Sequence, residues 1–487
     1  MLWPCVRSTF MRKRVKNIHF VGVGGSGMSG IAEVLVNLDY RVSGSDIAAG
    51  PVTRRLEEAG VTVNIGHDVA HISNADVVVV SSAIDRTNPE VAGALTARIP
   101  VIPRAEMLGE LMRFQQGIAV AGTHGKTTTT SLVSAILING GLDPTFVVGG
   151  LINSAGVNAK LGQGEYLVAE ADESDASFLN LKPEMAVVTN IDEDHMITYE
   201  GDLATLKKTF VAFLQNLPFY GLAVLCIDDA NVRSILKDVH KPVLTYGLRE
   251  DAEIYAYDLK QTGTRMQFKV RRPNTKKDIA LDLALPGRHN VQNALAAIAI
   301  ATHLGVDDAS IIQGLAEFGG IGRRFQILGD AIFEGKRVMM VDDYAHHPVE
   351  ISATLDAARG SWPDRRIVAV FQPHRYSRTS DLFEDFIQSL ADQQALVISE
   401  VYPAGEQAIA GATGKALCQA IRVRGASQPV YLAEIEDLGS VLTPYVLEGD
   451  IVLCMGAGSI GKAVKDVYAA YQVSAGLPGQ TQQKGDA

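Results

Sequence analysis

The pattern that most restricts the possible folds recurs along the chain: a short β-branched run, a glycine-rich or acidic turn, and then a helical stretch. This order is typical of parallel sheets covered by helices, because each helix returns the chain to the start of a neighbouring strand. No repeat of fixed period accompanies the pattern. The sequence therefore predicts an α/β protein built from parallel layers.

The 487 residues suggest about three domains. A polar segment at residues 113–117 and a glycine-rich segment at 319–322 separate three sets of predicted strands. We expect domains at residues 17–116, 117–321 and 322–472, between a disordered or mis-started tail at 1–16, where Met11 is an alternative start, and a disordered tail at 473–487. The predicted strands are residues 18–23, 41–44, 77–80, 118–121, 166–169, 186–189, 223–227, 338–341, 367–371, 395–398 and 451–455.

Composition and charge exclude two classes of partner. Hydrophobic residues make up 47% of the chain but form no run long enough to span a membrane. The formal net charge of -11 disfavours a nucleic-acid partner. Because the four cysteines include no C-x-x-C pair, neither a disulfide framework nor a zinc site is encoded. We expect a cytoplasmic protein, monomeric or weakly dimeric, without a membrane or nucleic-acid partner.

The most informative turn follows the predicted strand at 118–121 and resembles a phosphate-binding P-loop. In such a loop backbone N–H groups surround an anion, a lysine reaches the β- and γ-phosphates, and a hydroxyl binds Mg²⁺. The match is a variant, because Val120 stands where a first glycine is usual. A glycine turn capped by threonines is the alternative, but the order of strand, G-K-T and apolar helix favours ATP. The loop consists of Gly122, Thr123, His124, Gly125, Lys126, Thr127 and Thr128.

Acidic segments follow the next two predicted strands. One, E-A-D-E-S-D at residues 170–175, contains Glu173, and the other, N-I-D-E-D-H at 190–195, ends in His195. Either segment alone could be a solvated surface loop. Their position beside the P-loop strand favours a magnesium site, because Mg²⁺ prefers hard oxygen ligands and ligands bind at the carboxyl ends of parallel strands.

A second glycine-rich turn, G-V-G-G-S-G at residues 22–27, fits the dinucleotide fingerprint G-x-G-x-x-G, with Asp46 near the end of the next strand. By pattern alone it indicates NAD. The glycines guarantee only a helix N-terminus open to a diphosphate, so uridine diphosphate would fit equally well. A further copy at residues 456–461 is equally consistent with a close strand-to-helix turn, and we assign it no ligand.

Two later segments are dense in polar groups. Asn290 and Asn293 open a predicted helix and lie on one face of it, although Asn290 alone could be an N-cap. Arg375 and Arg378 follow the predicted strand at 367–371. Their guanidinium groups suit bidentate binding of a carboxylate or phosphate, although surface salt bridges would use the same residues.

Eight segments together resemble the Mur ligases, from about residue 16 to residue 471. They are G-V-G-G-S-G-M-S-G, G-T-H-G-K-T-T-T, E-A-D-E-S-D-A-S-F-L, T-N-I-D-E-D-H-M, G-R-H-N-V-Q-N, G-R-R-F-Q, D-D-Y-A-H-H-P and F-Q-P-H-R-Y-S-R-T. The resemblance implies three domains: an N-terminal dinucleotide-fold-like domain for a UDP-sugar, a central P-loop-type ATPase domain, and a C-terminal dinucleotide-fold-like domain that closes over the nucleotide.

The reaction implied is ATP-dependent joining of L-alanine to the lactyl carboxylate of UDP-N-acetylmuramate through an acyl phosphate, in peptidoglycan precursor synthesis. Lys126 then holds the β- and γ-phosphates. Thr127 and Glu173 hold one Mg²⁺, and Glu173 with His195 holds a second. The residues implied for the remainder of ATP are Asn290 and Asn293 at the adenine, Arg324 at the phosphates and Asp343 near the ribose.

The resemblance also implies the substrate pockets. Tyr344, His346, Arg375 and Arg378 surround the amino acid, with His346 as the acceptor of the amine proton and the two arginines as anchors of the carboxylate. In the first domain the UDP-sugar pocket is expected to contain Gly24, Gly25, Ser26, Gly27 and Asp46.

Three alternatives remain open. A peptide-recycling ligase would use the same UDP-sugar with a preformed peptide, although residues 172–178 (D-E-S-D-A-S-F) favour the alanine enzyme. A regulatory ATP-binding protein would lack turnover. An oxidoreductase fused to an ATPase would bind NADH and no UDP-sugar.

Overall fold

The computed structural model describes residue 11 and residues 14–81, 84–152, 157–275, 277–424 and 427–472. The chain divides between Gly322 and Arg323 into two compact units. The first unit contains two sheets and the second contains one.

The N-terminal sheet of the first unit has five parallel strands. Its elements are β1 (Asn17–Val21), α1 (Ser26–Asn37), β2 (Arg41–Asp46), α2 (Pro51–Glu58), β3 (Thr62–Ile65), β4 (Val77–Val80), α3 (Pro89–Ala97), β5 (Val101–Pro103) and α4 (Arg104–Met112). The strand order is β3-β2-β1-β4-β5, so the direction of winding reverses between β1 and β4. Such a reversal opens a crevice at the carboxyl ends of these two strands.

The second sheet of this unit has ten strands. Its elements are β6 (Gln116–Ala121), α5 (Lys126–Asn139), β7 (Thr145–Ile152), β8 (Val157–Lys160), β9 (Tyr166–Glu170), β10 (Met185–Val188), α6 (Leu203–Gln215), β11 (Leu222–Cys226), α7 (Ala230–Ile235), β12 (Val243–Gly247), β13 (Ile254–Thr262), β14 (Arg265–Arg271), β15 (Ile279–Leu283), α8 (Arg288–His303) and α9 (Asp308–Ala316). The order is β15-β14-β13-β12-β11-β10-β6-β9-β7-β8. The P-loop strand β6 therefore lies between the two strands that precede the acidic segments, with parallel pairing to both.

One hydrophobic core connects the two sheets of the first unit. It includes Phe20 and Leu35 from the N-terminal sheet and its helix, and Phe178 and Phe213 from the central sheet and its helices. The rings of Phe178 and Phe213 stack with centroids 4.8 Å apart. Because α4 packs its apolar face into the same core, the two domains of this unit are joined by buried contacts as well as by the chain.

The second unit is one six-stranded sheet covered by helices. Its elements are β16 (Gln326–Phe333), β17 (Lys336–Asp343), α10 (Pro348–Ser361), β18 (Ile367–Phe371), α11 (Tyr376–Asp381), α12 (Phe383–Leu390), β19 (Ala395–Ser399), α13 (Gly414–Arg424), β20 (Val430–Leu432), α14 (Leu438–Tyr445), β21 (Ile451–Met455) and α15 (Ile460–Tyr471). The order is β16-β17-β21-β18-β19-β20, with only β16 antiparallel to its neighbour.

Each of the eleven predicted strands overlaps an observed strand and differs from it at most at its ends. Ten further strands in the described part of the chain were not predicted: β3, β5, β7, β8, β12, β13, β14, β15, β16 and β20. The expectation of purely parallel layers is wrong at β7–β8, β13–β14–β15 and β16–β17, which pair antiparallel. Residues 116 and 117, predicted as part of a linker, belong to β6, because their backbone pairs with Tyr166 and Leu167 of β9. Among the described helices, none combines the length and the apolar character needed to cross a membrane.

Candidate active site

The P-loop turn is shaped by two glycines that no other residue could replace without strain. Gly122 has φ +132°, and a Cβ there would lie 2.0 Å from the Thr189 hydroxyl oxygen. Gly125 has φ +81°, and a Cβ there would lie 2.5 Å from the Asn293 side-chain oxygen. The helix α5 then begins at Lys126 with no side-chain cap. Its first N–H groups therefore face the loop, as an anion site requires.

Lys126 and Glu173 form a buried ion pair at this turn. The Lys126 Nζ donates to both Glu173 carboxylate oxygens at 2.8 Å, and to the carbonyl oxygens of Gly122 at 2.6 Å and Thr123 at 3.2 Å. Burial alone would lower the pKa of Lys126, but the Glu173 carboxylate outweighs burial and raises it. The amine is therefore a full positive charge located where the loop would receive phosphates.

The oxygen groups around this lysine fit a magnesium ion. Thr127, the second residue of α5, is buried, and Glu173 is only 4% exposed. Asp172 lies beside them, with its pKa lowered, against the effect of burial, by Lys126, Ser174 and Arg104. Carboxylate and hydroxyl oxygens are the hard ligands that Mg²⁺ prefers. The structure brings Lys126, Thr127 and Glu173 to one place, as the sequence predicted, and their roles remain predictions.

His195 lies on the second acidic segment, which is tied to the first. It has φ +54° and precedes a single 3₁₀ turn, Met196–Tyr199. From that turn, Thr198 donates to the Ser174 carbonyl at 2.7 Å, and Tyr199 donates to the Glu173 carbonyl. The His195 Nε2 lies 3.5 Å from a carboxylate oxygen of Asp194. These contacts place His195 at the edge of the Glu173 loop, and no described contact tests it as a metal ligand.

The remaining P-loop residues are fastened to the segment after β10. The His124 N–H donates to the Asn190 side chain at 2.8 Å, and the His124 Nε2 lies 3.1 Å from the Asp192 carboxylate. The Thr123 hydroxyl accepts from the Asp192 N–H at 2.8 Å. Thr128 is buried on α5. Asn190 and Asp192 were not predicted as loop supports, although the acidic segment already contained them.

Asn290 and Asn293 meet on one face of α8, as their spacing predicts. The Asn293 amide donates to the Asn290 side-chain oxygen at 3.2 Å, and the Thr129 hydroxyl donates to Asn293 at 3.2 Å. The alternative that Asn290 is an N-cap is wrong, because α8 starts at Arg288 and its N-cap is Gly287. Asn290 instead donates to the Pro286 carbonyl at 2.7 Å. Asn293 thus contacts the P-loop helix directly, and contact of either amide with adenine remains a prediction.

The glycine-rich turn at residues 22–27 is held by Asp46, the last residue of β2. The Asp46 carboxylate accepts from the Gly24 N–H at 2.9 Å, and a Cβ at Gly24 would lie 2.8 Å from that same oxygen. Gly25 is the N-cap of α1, with no side-chain cap on it. Gly27 faces the guanidinium of Arg104, whose Nη1 would be 3.0 Å from a Cβ there. The Ser26 side chain lies outside the described part of the structure.

In the second unit, Arg324 lies over the ring of Tyr344, and Asp343 precedes Tyr344 in the chain. The Arg324 guanidinium is 4.9 Å from the centre of the Tyr344 ring. Asp343 is buried and accepts from the N–H groups of Phe325 at 2.6 Å and Ala345 at 2.7 Å. Burial raises the pKa of Asp343 to about 6, against the opposing charge of Arg324. These bonds hold the turn after β17, and contact with ATP remains a prediction for both residues.

The residues predicted for the amino acid form a chain of ring contacts. The ring centroids of Tyr344 and His346 are 5.2 Å apart, and those of His346 and His374 are 6.0 Å apart. The His346 Nδ1 lies 3.0 Å from the Tyr344 carbonyl and 3.3 Å from the Glu350 carboxylate. Arg378 is buried and donates to the His374 carbonyl at 3.3 Å. His374 therefore connects His346 to Arg378.

Arg375 stands slightly apart from these rings. It has φ +71°, and its Nη1 lies 3.8 Å from the Glu406 carboxylate. His374 was not predicted, although it lies inside the segment that contains both arginines. Burial, followed by the charges of His346 and Arg378, lowers the pKa of His374 to about 3, so this imidazole is neutral.

At the glycine-rich turn of residues 456–461, side chains from elsewhere in the second unit occupy the start of the helix. The Gln372 side-chain oxygen accepts from the Ile460 N–H at 2.9 Å, and its amide donates to the Ser459 hydroxyl at 3.0 Å. Arg323 donates to the Gly456 carbonyl and lies so close to Gly461 that a Cβ there would be 2.2 Å from its Cζ. These contacts occupy the start of α15 with side chains of the second unit itself.

Comparisons with known proteins identify the family. Three family profiles match: "Mur ligase family, catalytic domain" at residues 17–116, "Mur ligase middle domain" at 120–301, and "Mur ligase, glutamate ligase domain" at 323–458. The chain is 29% identical to UDP-N-acetylmuramate-alanine ligase from Thermotoga maritima, with a TM-score of 0.79 over 94% of this chain and 99% of that one.

Two peptide ligases are also similar. The murein peptide ligase from Psychrobacter arcticus is 26% identical, with a TM-score of 0.70 over 93% of this chain and 98% of that one. The UDP-N-acetylmuramate:L-alanyl-γ-D-glutamyl-meso-diaminopimelate ligase from Neisseria meningitidis is 30% identical, with a TM-score of 0.58 over 63% of this chain and all 100% of the solved chain. The glycine loop with its buried Lys126–Glu173 pair thus lies in a three-domain protein that belongs to the Mur ligase family of ATP-dependent ligases.

Proposed function

We propose that this Mur ligase joins L-alanine to the lactyl carboxylate of UDP-N-acetylmuramate, with ATP converted to ADP and phosphate. The observation that carries the proposal is the buried Lys126–Glu173 pair in the P-loop, because it supplies a lysine and a carboxylate beside an uncapped helix N-terminus. Similarity to the Thermotoga maritima enzyme over 94% of this chain supports alanine as the amine.

The reaction requires an activated carboxylate, because a free carboxylate is a poor electrophile. Transfer of the γ-phosphate of ATP to the lactyl carboxylate gives an acyl phosphate and ADP. The neutral amine of L-alanine then attacks the acyl carbon, and the tetrahedral intermediate expels phosphate to form the amide. Lys126 and the N–H groups at the start of α5 bind the phosphates and stabilise the charge that moves during transfer.

Magnesium, held by Thr127, Glu173 and His195 in this proposal, would neutralise phosphate charge when bound. His346 accepts the proton that the amine loses at its Nε2, because its Nδ1 faces the Tyr344 carbonyl and the Glu350 carboxylate and therefore carries the ring hydrogen. Arg375 and Arg378 bind the alanine carboxylate. Asn290, Asn293, Arg324 and Asp343 bind the rest of ATP, and the turn at residues 24–27 with Asp46 binds the diphosphate of UDP.

A second candidate, a ligase that adds a preformed peptide to the same UDP-sugar, is favoured by the similarity to two such peptide ligases. The segment at residues 172–178 supports alanine. Membership of the Mur ligase family favours both candidates over an oxidoreductase or a purely regulatory protein.

The test is phosphate release from ATP and Mg²⁺ with UDP-N-acetylmuramate, comparing L-alanine, glycine, D-glutamate, a tripeptide and no amine. Release that needs both the UDP-sugar and L-alanine is expected. Turnover with the tripeptide alone would identify the peptide ligase. Absence of release with every amine would contradict the ligase proposal, and tight NADH binding would then support the oxidoreductase.

A further inference from the structure

A cavity of about 410 Å³ lies between the two domains of the first unit. Its lining comes from the ends of β4 and β5, the segment after β4, α3, the start of α4, and the segment after β9. Ile84, Val91 and Leu95 form an apolar wall, and the charged or polar lining groups include Arg86, Arg104, Asp175 and Ser177. None of the residues predicted for the site lines this cavity. Its lining includes the carboxyl end of β4, one of the two strands between which the strand order reverses, and ligands commonly bind near such a reversal.

Arg104 connects two parts of the proposed site across this cavity. Its Nη1 would lie 3.0 Å from a Cβ at Gly27, so the guanidinium rests on the start of α1. Its Nη2 lies 3.4 Å from a carboxylate oxygen of Asp172, the neighbour of Glu173. A single side chain thus reaches from the glycine turn suited to a diphosphate to the carboxylates beside the P-loop.

The contact with Asp172 contributes too little stability to account for an arginine at position 104. The two side chains are 22% and 40% exposed and 3.4 Å apart, and a partly exposed ion pair of this kind contributes little to stability. The planar guanidinium is built instead for bidentate binding of a phosphate or carboxylate. Arg104 is also the first residue of α4, which has no side-chain cap, so the positive end of the helix dipole adds to its charge.

We propose that Arg104 is a substrate-anchoring residue that exchanges Asp172 for an anionic group of the UDP-sugar when the sugar enters the cavity. This inference rests on the proposed function. The two anionic groups of that substrate are its diphosphate, toward Gly27, and its lactyl carboxylate, toward Asp172. The apolar wall of the cavity accepts the less polar face of the sugar.

The test measures dissociation constants of the full-length protein for UDP, UDP-N-acetylglucosamine and UDP-N-acetylmuramate by titration calorimetry. For Arg104→Gln we expect UDP-N-acetylmuramate to bind about 10- to 100-fold more weakly, with partial recovery in Arg104→Lys. Weaker binding of all three ligands would assign Arg104 to the diphosphate. Weaker binding of UDP-N-acetylmuramate alone would assign it to the carboxylate, the group that the other two lack.

Arg113→Gln is the matched control, because Arg113 is the C-cap of the same helix and pairs with Glu110 in a solvent-exposed position. Its affinities are expected to equal those of the unchanged protein, as is the KM for ATP in all variants. Unaltered affinity for all three ligands in a folded Arg104→Gln protein would overturn the anchoring role alone. An unchanged protein that binds none of the three would overturn the proposed function as well.

Discussion

The turns at residues 22–27 and 456–461 share the pattern G-x-G-x-x-G, yet they differ in what fills them. At the first, Asp46 holds Gly24 from the side, and no side-chain cap is present on α1. At the second, the Gln372 side-chain oxygen accepts from the Ile460 N–H, and the Arg323 guanidinium lies against Gly461. The glycine pattern therefore guarantees only a tight start to a helix. Side chains distant in sequence decide whether that start is left for a ligand.

The largest expected effect on activity comes from the P-loop at residues 122–128, where the side chain that occupies the turn is the charged Lys126. Lys126→Ala should lower phosphate release by about 10²- to 10³-fold, the usual cost of removing one group that stabilises developing charge. Lys126→Arg should retain part of the activity, and Lys160→Ala, at an exposed surface lysine, should retain all of it. Release within tenfold of the unchanged protein in Lys126→Ala would show that this turn works without its lysine.

Alanine in place of glycine should separate the two dinucleotide-like turns. Gly461→Ala forces a Cβ into Arg323 and should cost about 1–3 kcal/mol of unfolding free energy, with little change in affinity for UDP-sugars. Gly27→Ala displaces only the flexible end of Arg104, so it should weaken UDP-sugar binding and leave the unfolding free energy nearly unchanged. Urea denaturation and calorimetry measure the two quantities. The reverse assignment of effects would refute the distinction between the turns.

The smallest effect concerns how acid acts on the first turn. The Ser45 carbonyl accepts from the N–H groups of Gly22 and Val23, and the Ser45 hydroxyl donates to the buried Glu90. Burial alone would raise the pKa of Glu90, but the nearby His19 ring, 3.6 Å away, and hydrogen bonds with Ser45 and His71 lower it to about 2. Because the pKa of Glu90 is lower in the folded protein, the ionised carboxylate stabilises the fold. This stabilisation is complete above the unfolded pKa near 4.5 and is lost as the pH falls toward 2.

Glu90→Gln should therefore be less stable than the unchanged protein at pH 7 and should lose less unfolding free energy between pH 5 and about pH 3. Glu317→Gln, at an exposed position, serves as the control. The amide of Gln372 does not titrate, so its support of the second turn should not depend on pH. Identical pH profiles for Glu90→Gln and the unchanged protein would remove the charged network as the support of the first turn.

Features carried by consecutive residues could be predicted from the sequence, whereas contacts between residues far apart in the chain could not. Lys126, its glycines and Thr127 were predictable because the chemistry of a P-loop is contained in seven consecutive residues. The acidic segment containing Glu173 was expected beside the P-loop because parallel strands place their carboxyl ends together. The structure adds a contact that was not predicted, from Lys126 to Glu173 at 2.8 Å, and the magnesium role of Glu173 stays a prediction. The family and the three-domain α/β architecture were also predicted, and both are confirmed.

Contacts between distant segments were not predictable from local pattern. The filling of the last glycine turn depends on Gln372, which is 88 residues from Ile460. Arg104 is 68 residues from Asp172, and nothing in its own helix indicates an anion. Asn290 shows the opposite error, because a local capping rule suggested an N-cap while the helix begins two residues earlier, at Arg288.

The Lys126–Glu173 pair links the binding of the nucleotide to the binding of the divalent cation. If Lys126 turns to a phosphate, Glu173 becomes a buried carboxylate without a counter-charge, which is a costly state. If a divalent cation approaches Glu173 first, the Lys126 ammonium repels it. Either partner arriving alone leaves one member of the buried pair without a counter-charge, whereas the phosphate and the cation together supply a counter-charge to both. We therefore expect strong positive cooperativity between them, in which each raises the affinity of the other by the same factor.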